Sequence, residues 1–281
     1  MHDVSAASDS LAKIAVAAIQ MNSGDDIAAN LRLADDLLGE AAARSCRLAL
    51  LPENCAFIGA RDDDKLAYAE EAGKGPLQQF FADAARRYAM TIIAGSLPLR
   101  SADPERCYGA SFVYDQGGRQ IACYRKMHLF DVDLPERDER YRESATMTFG
   151  SEPSMAETPL GLLGLSICYD LRFPELYRRL AGDGAIAFTV PAAFTQVTGQ
   201  AHWHTLLRAR AIENLAYVIA AGQHGRQPNG RVTYGHSLIV DPWGRVLAEQ
   251  ADGNGIIVAE LDTALPVRIR REFPALAHRR L

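Results

Sequence analysis

Cysteine is sparse in this 281-residue sequence: there are five, Cys46, Cys55, Cys107, Cys123 and Cys168, odd in number, scattered and with no C-x-x-C pair. That argues against a disulfide framework and against a zinc site. Most of the five are expected to be small buried hydrophobes in a reducing compartment. Long apolar runs are lacking too, and none approaches the ~20 residues that cross a bilayer, so no membrane association is expected. Nor is there a strong charge of one sign: the net charge of -5 speaks against a nucleic-acid or polyanion partner. The first ten residues, MHDVSAASDS, have no charged segment leading into an apolar one. They are expected to be a flexible lead-in to a cytoplasmic protein rather than a signal peptide. With no Ser/Pro/Gly-rich linker, low-complexity stretch or fixed repeat, residues 11–281 are expected to form one domain.

What is present is an alternation of apolar β-rich runs with helical patterns. Residues 11–21 read as a strand, and 25–45 as a helix with Ile27, Leu31, Leu37 and Leu38 at helical spacing. RLALLP at 47–52 is nearly all apolar, as expected of a strand covered on both faces. Pro76 starts a helix over 77–88, a strand follows at 91–97, and DQGG joins a hairpin of 109–114 and 119–124. Beyond a connecting stretch at 126–150, strands are expected at 160–167, 185–190 and 217–222, with helices at 174–181 and 199–215. A hairpin of 234–241 and 245–250 around PWG, a strand at 255–261 and a basic helix with a tail at 263–281 complete the chain. The fold class is α/β, with parallel and antiparallel pairing and helices outside stacked sheets.

Three places carry chemistry. Leu51-Pro52-Glu53-Asn54 puts an acid just beyond the carboxyl end of a buried strand, where ligands of α/β sheets bind. A desolvated Glu53 can act there as a general base, although a solvated acid capping the loop fits the same pattern. Lys126 follows a hairpin strand in YRKMHLF, where it is either a surface charge or a functional cation. Its neighbour His128 is expected to be structural. Cys168 ends an apolar strand in GLSICYD, and LRFPELY opens a helix. A nucleophile on such a turn is exposed, with backbone N–H groups beside it for an oxyanion. The helix N-terminus and a lysine nearby are expected to favour its thiolate, whereas a buried structural thiol is the bland alternative.

Taken in this order, LPEN, YRKMHLF and ICYDLRFPELYR resemble the nitrilase, or carbon–nitrogen hydrolase, superfamily over about residues 13–280. The resemblance implies a catalytic Glu53, Lys126 and Cys168, with a second glutamate at Glu143, for which Glu136 and Glu139 are rivals. It implies an α-β-β-α sandwich that pairs into a homodimer through the helices at 175–181 and 199–215, and no metal or other cofactor. PAAFT at 191–195, GQAHW at 199–203, LRARAIEN at 207–214 and YGHS at 234–237 are most similar to amidases of deaminated glutathione and of 2-oxo acid ω-amides, and AAGQHGR at 220–226 looks more like the former, so deaminated glutathione is the substrate the resemblance implies. Cys168 is then expected to attack an amide carbonyl, Glu53 to move the protons, and Lys126 with the Tyr169 N–H to hold the oxyanion.

A substrate carboxylate needs a cation. Arg172 is the candidate, unless it pairs with Glu175 on the same turn. Phe130, Phe194 and Thr195 are pocket candidates by resemblance. An ω-amidase of 2-oxoglutaramate and an N-carbamoyl or nitrile hydrolase share this catalytic set. A catalytically silent binding protein on the same fold and a thiol redox protein are rivals of other classes; the latter lacks a resolving cysteine near Cys168 in sequence.

Overall fold

The computed structural model describes residues 13–134 and 139–280; the ten-residue lead-in lies outside them. The first half runs β1 (Lys13–Gln20), α1 (Ile27–Ala43), β2 (Leu48–Leu50), α2 (Pro76–Tyr88), β3 (Thr91–Ile93), β4 (Leu97–Arg100), β5 (Cys107–Tyr114) and β6 (Gln120–Arg125). A small hairpin follows, β7 (Asp131–Leu134) and β8 (Glu139–Arg142). The second half runs β9 (Met155–Thr158), β10 (Gly161–Leu165), α3 (Pro174–Gly182), β11 (Ala187–Ala192), α4 (Gln196–Asn214) and β12 (Tyr217–Gly222). After these come β13 (His224–Arg226), β14 (Val232–Tyr234), β15 (Ser237–Val240), β16 (Val246–Gln250), β17 (Gly255–Asp262) and α5 (Leu265–Glu272).

Two sheets result. One has the order β17-β1-β2-β3-β5-β4 with β6 also paired to β5, the other β16-β15-β12-β11-β10-β9. Strand alternation divides the core into layers. From β1 and β2, Ala17, Ile19 and Ala49 join Leu38 and Ala41 of α1 and Phe81 and Ala85 of α2 in one cluster. Val16, Ala18, Leu48 and Leu50 turn the other way, into a cluster with Leu163, Leu165 and Val190 of the second sheet and Leu180 and Leu207 of α3 and α4. The layers are therefore helix, sheet, sheet, helix. Local chemistry sets the helix starts. Asp26 accepts from the Ala29 N–H at 3.0 Å before α1, and the Glu70 carboxylate accepts from Leu77 N and Gln78 N, at 2.6 and 3.1 Å, before α2. Thr195 caps α4, which starts at Gln196 rather than near 199 because the Thr195 hydroxyl accepts from Thr198 N. The parallel strands β1, β2 and β3, and separately β10, β11 and β12, bring their carboxyl ends to one region.

Candidate active site

Glu53 sits three residues past β2 on a loop clamped from both sheets. Gln223, just past β12, donates from Nε2 to the Glu53 carbonyl at 3.0 Å and to Ser23 Oγ at 2.8 Å. Asn54, at φ 56°, donates its N–H to Ser96 Oγ. Gly95, at φ 38°, lies directly under the Pro52 carbonyl, where any Cβ would collide with backbone. Held this way, Glu53 is 5% exposed. Its Oε2 accepts from the Ala193 N–H at 2.9 Å, and its Oε1 from Lys126 Nζ at 2.9 Å.

Lys126 follows β6, with its N–H on the Gly109 carbonyl and its own carbonyl taken by the Gly150 N–H. Its side chain is 2% exposed, and its ammonium lies between Glu53 and Glu143, donating to Glu143 Oε1 at 2.7 Å and Oε2 at 2.9 Å. Burial alone would lower its pKa, but the two carboxylates outweigh that and hold it well above the ordinary lysine range. Glu143 directly follows β8 and also accepts the Phe130 N–H at 2.6 Å. Glu136 lies outside the described residues.

Cys168 stands at φ 49° between extended Ile167 and the helical turn of Cys168–Arg172, a left-handed elbow at the end of the β10 segment. The elbow is tied by Asp170, which is fully buried. Its carboxylate accepts from Ile167 N at 2.8 Å, Tyr124 Oη at 2.8 Å and His128 N at 3.1 Å, and lies 2.7 Å from His128 Nδ1. His128 also stacks on Phe173, with ring centroids 3.7 Å apart. It is thus a structural link between the lysine loop and the cysteine elbow. Cys168 as a whole is 9% exposed. Burial and the Glu53 carboxylate push its pKa well above the ordinary thiol range, against the opposing pull of Lys126 and the Ala193 N–H. Lys126 thus acts in the expected direction, toward the thiolate, but burial and Glu53 outweigh it. Two carboxylates already face one ammonium, so a third negative charge is disfavoured until a proton moves to Glu53.

Glu53, Lys126, Glu143 and Cys168 open onto one cleft, also lined by Tyr169, Phe130, Phe194 and Thr195. Arg172 is not among its lining residues. Its guanidinium lies 5.2 Å over the Phe194 ring and 5.9 Å over Tyr169, with His202 Nδ1 3.3 Å away. No ion pair joins it to Glu175. Three cations that the sequence did not single out line the cleft instead: Lys65, Arg142 and Arg231. Arg231 is paired with both oxygens of Asp62 at 3.0 Å, and Arg142 with Asp133 at 2.8 and 2.7 Å. Lys65 has no carboxylate partner among the described residues, and its Nζ rests 3.7 Å from Met147 Sδ. It falls in a polar loop, DDDKLAY, that has neither strand nor long-helix periodicity to flag it.

The profile of the carbon–nitrogen hydrolase family matches residues 15–271. A deaminated glutathione amidase of Synechocystis is 41% identical over 266 residues, covering 94% of this chain and 97% of that protein. Among solved structures, the NitFhit protein of C. elegans superposes with a TM-score of 0.89 at 37% identity, over 95% of this chain and 65% of that longer one. A Saccharomyces cerevisiae member of branch 10 of the nitrilase superfamily superposes with a TM-score of 0.85 at 33% identity, over 96% and 97% of the two chains.

Proposed function

The chain belongs to the carbon–nitrogen hydrolase family, and from that premise we propose that its one domain is a cysteine-dependent amidase of deaminated glutathione, releasing 2-oxoglutarate and Cys-Gly. The observation that carries this reading is the buried Glu53–Lys126–Glu143 chain set against the Cys168 thiol at the floor of the cleft. As the Cys168 sulfur attacks the amide carbonyl, its proton passes to Glu53. The oxyanion forms beside Lys126 and the Tyr169 N–H. Glu53 returns the proton to the departing amine, the C–N bond breaks, and a thioester remains on Cys168. Water then attacks the thioester, giving a proton to Glu53 and regenerating the thiol. Glu143 keeps the ammonium in place throughout. The lysine supplies the positive charge, so the reaction needs no metal ion.

The cleft fits a 2-oxo acid amide in charge. Of the four cations on its walls, Lys126, Arg142 and Arg231 already have carboxylate partners, which leaves Lys65 to receive the carboxylate of the 2-oxo acid. The apolar faces of Phe130 and Phe194 suit the methylene chain. The enzyme is taken to act in the cytoplasm as a homodimer packed through α3 and α4. No helix among the described residues is long and apolar enough to cross a membrane, and Ile212 on α4 leaves 45% of its surface open.

The test is kcat/KM for 2-oxoglutarate release from deaminated glutathione and from 2-oxoglutaramate. A preference of tenfold or more for the first, about 1.4 kcal/mol of transition-state binding, supports the proposal. An equal preference for the second makes the protein an ω-amidase with the same chemistry.

A further inference from the structure

Outside the cleft, three side chains from three segments converge on one point. His204 projects from α4, His236 stands at φ 52° just before β15, and Glu249 lies on β16, which pairs with β15. The His204 Nε2 is 2.8 Å and the His236 Nδ1 2.6 Å from the same oxygen, Glu249 Oε1. One donor atom from each residue falls within 4.8 Å of the other two. None of the three lines the catalytic cleft.

We propose that His204, His236 and Glu249 form a zinc-binding site separate from the amidase centre. Two imidazoles and one carboxylate are a donor set that binds zinc with a coordination position left open for water. Ligand atoms at ~2.0–2.2 Å from a tetrahedral zinc stand about 3.4 Å apart, so the 2.8 and 2.6 Å contacts to Glu249 Oε1 have to open by roughly 0.5–0.8 Å. The framework is already fixed. The His236 carbonyl accepts from Trp203 Nε1 at 2.8 Å and its N–H bonds the Ala251 carbonyl. Tyr234 stacks on its ring with centroids 4.1 Å apart. Tyr234 is pressed in turn against Gly199 of α4, where a Cβ would overlap its ring. The three side chains remain 25–35% exposed, which leaves the ion a route in. Binding ties α4 to the β15–β16 hairpin.

The experiment is zinc chloride titration of the full chain, stripped with chelator, by calorimetry and by elemental analysis after dialysis. It is done in a Cys168→Ala background so that the catalytic thiol cannot bind the metal. One zinc per chain with a micromolar or tighter Kd is expected, together with a melting temperature that rises with zinc concentration. His204→Ala and His236→Ala should each weaken binding at least tenfold, and Glu249→Gln should do so with little change of shape. His202→Ala, two residues away on the same helix, should bind as before. No zinc retained at ten micromolar, or unchanged binding in the His204 and Glu249 variants, overturns the proposal.

Discussion

Glu143→Gln is the substitution that best separates electrostatics from shape. In the resting site the Lys126 ammonium is shared by two carboxylates, with Glu143 at 2.7 and 2.9 Å and Glu53 at 2.9 Å. Removing the Glu143 charge deletes an attraction of about 6 kcal/mol at an effective dielectric of about 20. Lys126 is then drawn wholly to Glu53, which becomes a weaker base for the Cys168 proton. The opposing gain is an ammonium freer to meet the oxyanion, about one charge-assisted hydrogen bond or 1.5–3 kcal/mol. The loss wins by about 3–4 kcal/mol, so kcat should fall roughly 10²–10³-fold while KM changes little. Glutamine preserves volume and can still accept the Phe130 N–H, and the buried cluster goes from net negative to neutral, so the melting temperature should move only a few degrees. Steady-state kinetics and thermal denaturation read the two effects separately. A kcat within threefold of the parent would refute the assignment of Lys126 to the oxyanion and Glu53 to the proton.

Asp170→Asn removes a buried charge that holds Ile167, Tyr124 and His128 around the elbow. It should cost about 2–4 kcal/mol in urea unfolding. Gly95→Ala forces a Cβ against the Pro52 carbonyl at a positive φ; it should destabilise by about 3 kcal/mol or more and cut activity by shifting Glu53. Because the Cys168 pKa lies above its ordinary value, the thiolate fraction at neutral pH is below that of a free thiol. Iodoacetamide should therefore modify Cys168 slowly at pH 7, with a rate still climbing above pH 9. A rate already at its plateau at pH 7 contradicts this. Cys55 and Cys107, pushed up to about 12 and about 11 by burial, should stay unmodified throughout.

Where a physical pattern was strong, the sequence was legible. The all-apolar RLALLP does mark a strand, β2, buried on both faces, and period-2 residues such as Val16 and Ala17 do divide between two cores. DQGG does join β5 to β6. The strand-to-helix turn at Cys168 could be read because Pro174 starts the next helix and an apolar run ends at Ile167. The stretch 126–150 read as a connection because its strands, DVDL and ERYR, are short and rich in charged residues, and among the described residues pair with each other. That hairpin nevertheless carries Glu143 to Lys126. In the same way YGHS was taken into one long strand, whereas Tyr234 ends β14 and His236 begins a new direction at positive φ. Contacts across the fold stayed hidden as well. No local signal tells that Arg172 is held by aromatic rings, that Asp62 takes up Arg231, or that Lys65 faces the cleft with no carboxylate partner among the described residues.

The central claim is that Cys168 is the nucleophile and that the rest of the site serves it. Cys168→Ala tests it most directly, because alanine keeps the Cβ and so the same strain at φ 49°, and removes only a sulfur that is 9% exposed at residue level. The decisive measurement is kcat/KM for 2-oxoglutarate release from deaminated glutathione, alongside the melting temperature. The account predicts a loss of at least 10³–10⁴-fold, about 4–5.5 kcal/mol, with the melting temperature within a few degrees of the parent. A variant that keeps more than a few per cent of the activity, with its fold intact, would contradict it.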